Sequence, residues 1–119
     1  MTSSWRALLA ALLALALLVP AAGARDPAIP EVALRDLPRE ARQTIVLIHK
    51  GGPYPYERDG IAFGNFEKRL PVRERGYYRE YTVPTPGARH RGARRIIAGR
   101  GGEFFYTDDH YNSFKWIRE

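Results

Sequence analysis

Residues 77–117 read YYREYTVPTPGARHRGARRIIAGRGGEFFYTDDHYNSFKWI. Four short β-prone runs follow one another here: Tyr77–Val83, Arg94–Ala98, Glu103–Thr107 and Ser113–Ile117. Turn-forming residues separate them, namely Pro84-Thr85-Pro86-Gly87, Gly99-Arg100-Gly101-Gly102 and Asp108-Asp109. Upstream, Leu37, Ala41, Ile45 and Ile48 recur at helical spacing and predict a helix over Pro38–Lys50 with one buried face. Asp36 is placed to cap it, Pro38 suits its first turn and Glu40 meets the positive end of the helix dipole. Gly51-Gly52-Pro53 stops it. One helix and then closely spaced strands predict an α+β domain, with one main N-terminal helix packed on a twisted antiparallel sheet of about four to five strands. Between helix and sheet, residues 51–71 are rich in Gly, Pro, Tyr and Asp and read as loops with short extended pieces. Arg25–Ala33 reads as an extended lead-in.

The chain has 119 residues, enough for one small domain. Its first 24 read differently from the rest: Arg6, an apolar run from Ala7 to Val19, then Pro20 and the small residues Ala21-Ala22-Gly23-Ala24. That order describes a secretory signal peptide cleaved after Ala24. The competing reading is a membrane anchor. Thirteen apolar residues span only about 20 Å as a helix, short of a bilayer core near 30 Å. The expectation is therefore a secreted domain over residues 25–119, extracellular or periplasmic and not inserted in a membrane after cleavage. It has no cysteine, so its core must hold it without a disulfide.

Nineteen Lys and Arg against thirteen Asp and Glu give a net charge of +6. Losing residues 1–24 removes Arg6 and no acid, which leaves 18 against 13, or +5. This balance predicts attraction to polyanions, nucleic acid first, although a solvated basic surface or an anionic membrane would also account for it. The charge is uneven. No acid falls between Glu80 and Glu103, while Arg89, Arg91, Arg94, Arg95 and Arg100 crowd the same span. Arg94 and Arg95 sit within a strand, where successive side chains face opposite ways, so one of the two must face the packed or concave side. An arginine there calls for a carboxylate or phosphate partner.

Glu80 lies in the middle of an aromatic strand, and His110 in a turn before an apolar one. Each alone has an ordinary reading, Glu80 as half of a structural ion pair and His110 as a surface histidine. With Arg91 and Arg95 they form a set suited to RNA cleavage. That reaction needs a base for the ribose 2′-hydroxyl, an acid for the leaving 5′-oxygen and cations around the phosphate. No metal site is expected: His49, His90 and His110 lack ligand spacing.

Gly76-Tyr77-Tyr78-Arg79-Glu80-Tyr81-Thr82-Val83, then Pro86–Ile97 with Arg91 and Arg95, then Tyr106-Thr107-Asp108-Asp109-His110-Tyr111 resemble the microbial guanyl-preferring ribonucleases, the barnase-like family. The resemblance runs from about Leu37 to Ile117. It implies Glu80 as general base, His110 as general acid and Arg91 and Arg95 as phosphate-binding arginines. The implied reaction passes without cofactor through a 2′,3′-cyclic phosphate to the 3′-phosphate. Phe63-Gly64-Asn65-Phe66-Glu67 resembles the family's guanine loop. There Glu67 would accept from guanine N1–H and the exocyclic amine, backbone N–H groups near Asn65 would reach O6, and Phe63 and Tyr111 would stack on the base. Apart from that resemblance, Phe63 also has a reading as a core aromatic and Glu67 as a solvated loop carboxylate. Phe66 departs from the polar or basic residue usual in relatives, and Gly64 is smaller than theirs. Arg89 joins the basic stripe expected to meet RNA phosphates. Single-stranded RNA is the expected partner, a barstar-like acidic inhibitor a further one, and a monomer the expected state. The rival reading is a non-catalytic basic RNA-binding module on the same scaffold.

Overall fold

The computed structural model describes residues 29–119. The signal peptide expected at 1–24 lies outside the described residues. Strand β1 (Glu31–Ala33) leads through a 3-10 turn (Leu34–Asp36) into helix α1 (Arg39–Lys50). Then come β2 (Ile61–Phe63), β3 (Tyr78–Thr82), β4 (Arg95–Gly99), β5 (Phe104–Thr107) and β6 (Lys115–Arg118). They form one six-stranded sheet in the order β1-β6-β5-β4-β3-β2.

The helix and the four runs between Tyr77 and Arg118 are where the sequence places them. Six strands replace the four to five expected, and the sheet is mixed rather than purely antiparallel, because β1 pairs with β6 in parallel. The two additions, β1 and β2, have three residues each. A segment that short carries no readable period, and both are edge strands that exist through pairing with a longer neighbour. Asp36 does not cap α1. It belongs to the 3-10 turn, Pro38 takes the cap position without a side-chain bond, and the amides of Ala41 and Arg42 both donate to the Pro38 carbonyl. The C-terminal end is as expected. Gly51 adopts φ 81°, a left-handed conformation that glycine takes without penalty, while the Gly51 and Gly52 amides bond back to Ile48 and Leu47.

Side-chain alternation divides the core in two. Ala41 and Ile45 of α1 pack with Leu37 onto Tyr81, Val83, Ile96, Phe104 and Tyr106. On the opposite face of the sheet Tyr78, Ile97 and Phe105 pack with Leu70 and Phe114 from the loops. Ile96 and Ile97, both fully buried, thus face different layers. The same alternation puts Glu80 and Thr82 of β3 and Arg95 of β4 on the face away from the helix, with Thr82 directly opposite Arg95. Among the described residues, no helix is long and apolar enough to cross a membrane.

Candidate active site

Arg95 is the cation that sequence alternation requires to turn inward. It is 2% exposed, whereas Arg94 is half-buried. Its Nη1 donates to the carbonyls of Arg94 and Gly92 at 2.7 and 3.0 Å, and more weakly to that of Arg91 at 3.5 Å. Its Nε donates to the Tyr111 hydroxyl at 3.1 Å. Among the described residues no carboxylate bonds directly to this buried guanidinium, which makes the place attractive to an anion. Arg91 is fixed separately, Nε donating to Thr82 Oγ1 at 2.9 Å and Nη2 lying 3.4 Å from Glu80 Oε1.

Glu80 is 7% exposed. Its Oε1 also accepts a hydrogen bond from the Tyr111 hydroxyl at 3.0 Å. Among the described residues no donor reaches Oε2, so one carboxylate oxygen is anchored and the other is left to take a proton. Tyr111 therefore links Arg95 to Glu80, accepting from one and donating to the other. Burial and the neighbouring Glu80 charge both raise its phenol pKa, which keeps the hydroxyl a donor. The sequence predicts only a stacking role for Tyr111 and gives no sign of this bridge, nor of Thr82 as the residue that orients Arg91. Neither carries a signal in one dimension, since a tyrosine or threonine in an apolar strand or loop is ordinary.

His110 stands exposed beside this cluster and shares an open depression with Arg91 and Arg95. Its amide donates to the Ala93 carbonyl at 3.0 Å. His110 and Tyr111 adopt φ 57° and 71° in succession, left-handed conformations that cost non-glycine residues about 1–2 kcal/mol each. The loop is held in that shape by Asp109. Its carboxylate accepts from Thr107 Oγ1 at 2.8 Å, from the Ser113 amide at 2.9 Å and from the Ser113 hydroxyl. Thr107 Oγ1 in turn accepts from the Tyr111 amide at 3.2 Å.

These bonds, those from Ser113 and Thr107 foremost, push the Asp109 pKa down to about 2. A carboxylate depressed in the folded state stabilises the fold at pH values above its ordinary value near 4, and loses that contribution as pH falls toward 2. Asp109→Asn is expected to melt below wild type at pH 5. The gap should narrow steadily toward pH 2 in thermal scans, and a gap independent of pH would contradict this role.

Of the residues expected to contact a base, Phe63, Asn65, Phe66, Glu67 and Tyr111 line one groove with His110. Asn65 adopts φ 51°. Its side chain exchanges two bonds with Leu70, Oδ1 accepting from the amide at 3.1 Å and Nδ2 donating to the carbonyl at 3.0 Å. With the side chain so engaged, the backbone is what this position offers to the groove. Glu67 projects into solvent with Arg69 at 3.5 Å. Phe63 and Tyr111 stack on each other with ring centroids 5.2 Å apart, which leaves no room for a third ring between them. Phe63 also touches Phe114 of the second core cluster, serving core and groove together. Phe66 is 87% exposed. A side chain at position 64 would bring its Cβ within 2.5 Å of the Phe66 ring, so the small residue and the aromatic one accommodate each other. Arg89 is exposed and makes no hydrogen bond or ion pair with the Glu80–Arg95 cluster.

A family model described as ribonuclease matches residues 21–118. The chain is 59% identical to guanyl-specific ribonuclease St of Saccharopolyspora erythraea over 85 residues, 71% of this chain and 84% of that protein. It is 54% identical to guanyl-specific ribonuclease Sa of Kitasatospora aureofaciens over 87 residues, 72% and 91% of the two. A solved structure of ribonuclease Sa2 in complexes with mononucleotides superposes with a TM-score of 0.77 at 49% identity, covering 79% of this chain and 98% of that one. The chain therefore belongs to the microbial guanyl-specific ribonuclease family.

Proposed function

We propose that the protein is an exported endoribonuclease that cleaves single-stranded RNA on the 3′ side of guanosine. The observation that carries the reading is the pairing of a buried, half-anchored Glu80 carboxylate with an exposed His110 around the cation-lined depression of Arg91 and Arg95. In this reading Glu80 takes the proton of the ribose 2′-hydroxyl. The resulting oxygen attacks phosphorus, the P–O5′ bond breaks, and His110 gives its proton to the departing 5′-oxygen. Arg95 and Arg91 oppose the charge that grows on the phosphoryl oxygens, with no reorganisation needed because both are already tied in place. The product is a 2′,3′-cyclic phosphate. Water then opens it to the 3′-phosphate with the two proton-transfer roles exchanged.

Guanine preference rests on the 63–67 loop. Adenine has an unprotonated N1 where guanine has a donor, and a C–H at C2 where guanine carries its amine, so Glu67 would find neither donor. The family membership and the guanyl-specific relatives support this assignment. Export rests on residues 1–24. A cationic active-site mouth also suits a barstar-like acidic inhibitor, which would compete with RNA.

One experiment addresses the whole reading. Protein recovered from the culture medium should begin at Arg25 on N-terminal sequencing. Assayed in EDTA against GpU, ApU, CpU and UpU, it should convert GpU to guanosine 2′,3′-cyclic phosphate at least a hundredfold faster than the others. Equal rates on all four would keep the mechanism and discard the guanine loop. Binding of RNA that stays intact would leave a basic binding module instead.

A further inference from the structure

The recognition groove does not end at Phe66. Phe63, Asn65 and Phe66 also line a second groove of about 540 Å³, walled on its other side by Val72, Arg73 and Arg75, with Lys68 at its edge. That volume is within the range of small-molecule sites. Phe66 and Val72 are 87% and 71% exposed, apolar surface that folding leaves in water. Among the described residues, Lys68, Arg73 and Arg75 form no ion pair with a carboxylate. Glu74, the acid of the same wall, is held by Arg100 at 3.0 Å. An uncovered aromatic ring next to three uncancelled cations offers a base its stacking face and a phosphodiester its counter-charge.

The order of the grooves says which nucleotide would lie there. His110 is common to the Arg91–Arg95 depression and the recognition groove, while Phe63, Asn65 and Phe66 join the recognition groove to the second one. The scissile phosphate hangs from the 3′-oxygen of the recognised nucleoside, so RNA continuing in the 3′ direction leaves past His110. The second groove, on the far side of the recognition groove from His110, is then left to the chain on the 5′ side.

We propose that this second groove is a subsite for the nucleotide on the 5′ side of the recognised guanosine. Its base lies against Phe66 and Val72, and the phosphates around it meet Lys68, Arg73 and Arg75. Sequence flanking the guanosine would then raise efficiency without altering which bond is cut. The inference rests on the ribonuclease reading above, and wild-type cleavage of GpU tests that reading alone.

The test compares kcat/KM for ApApGpU and GpU. Wild type is expected to favour the longer substrate roughly tenfold or more, given what stacking on an aromatic contributes per base. Lys68→Gln/Arg73→Gln/Arg75→Gln should bring the two substrates to within about threefold of each other. It should also flatten the salt dependence on ApApGpU by about 0.7 in log–log slope for each phosphate that no longer meets a cation. All three side chains are exposed, so the fold should persist, which circular dichroism verifies. Phe66→Ser should separately reduce the preference for ApApGpU. Equal wild-type efficiency on both substrates would overturn the subsite. So would a preference that survives both variants, or charge-dependent binding of anionic phospholipid vesicles by the same three residues without any such preference.

Discussion

Glu80→Gln is expected to lower kcat/KM on GpU by two to four orders of magnitude while the protein melts close to wild type. That factor is what a positioned general base contributes to proton transfer in a transition state. The amide keeps an oxygen to accept from Tyr111 and Arg91, which lie 3.0 and 3.4 Å from the present carboxylate, so the local packing survives. His110→Asn should lose a similar factor, and Asn tolerates the left-handed backbone of this position better than most residues. The two variants are separable by pH. An ionised Glu80 and a protonated His110 make the wild-type rate bell-shaped. Glu80→Gln should erase the acid limb and His110→Asn the alkaline one. Activity within tenfold of wild type in either variant, or loss of the same limb in both, would refute the assignment of roles.

Arg95→Met should damage chemistry and fold together. Nη1 donates to three carbonyls and Nε to the Tyr111 hydroxyl. An apolar side chain of similar length would leave those acceptors without a donor in a site 2% exposed. Stranded buried acceptors of this kind cost about 1–3 kcal/mol each, with water recovering part of it, so a net loss of about 3 kcal/mol is expected in urea unfolding. Removing one fixed donor from around a developing oxyanion costs a further two to three orders of magnitude in kcat. Arg95→Lys keeps the charge but cannot reproduce a planar fork bonded at both Nε and Nη1, and should recover little of either loss. An Arg95→Met protein as stable as wild type would show that the guanidinium is replaceable in the loop, and that its bonds to Arg91, Gly92 and Arg94 are incidental.

How far the sequence could be read depended on the range over which each residue's environment is set. The helix from Arg39 to Lys50 is announced by its own apolar spacing and by Gly51, because helical contacts close within four residues. The four longer strands are announced by alternation and by the turns between them. Strand alternation alone also required one of Arg94 and Arg95 to turn inward. Asp36 is a misleading signal because, though a good capping residue, it ends the 3-10 turn Leu34–Asp36 three positions before the helix, and Pro38 takes the cap position. The strands Glu31–Ala33 and Ile61–Phe63 have no signature of their own, since each is created by a partner: residues 116–118 for the first and 78–80 for the second.

From the sequence alone came the helix-then-sheet order, the basic stripe and the four residues Glu80, Arg91, Arg95 and His110, because residue type and spacing are one-dimensional properties. Only the tertiary structure decided what joins them. Tyr111 lies 31 residues from Glu80 and 16 from Arg95, yet one hydroxyl touches both. Thr82 faces Arg95 across a strand pair while its side chain steadies Arg91. Asp109 holds the left-handed turn that presents the histidine, and the exposed Phe66 acquires a neighbouring cationic groove from residues 72–75. Hydrogen bonds and stacking contacts act over about 3–5 Å, and folding, not chain order, determines which groups come that close.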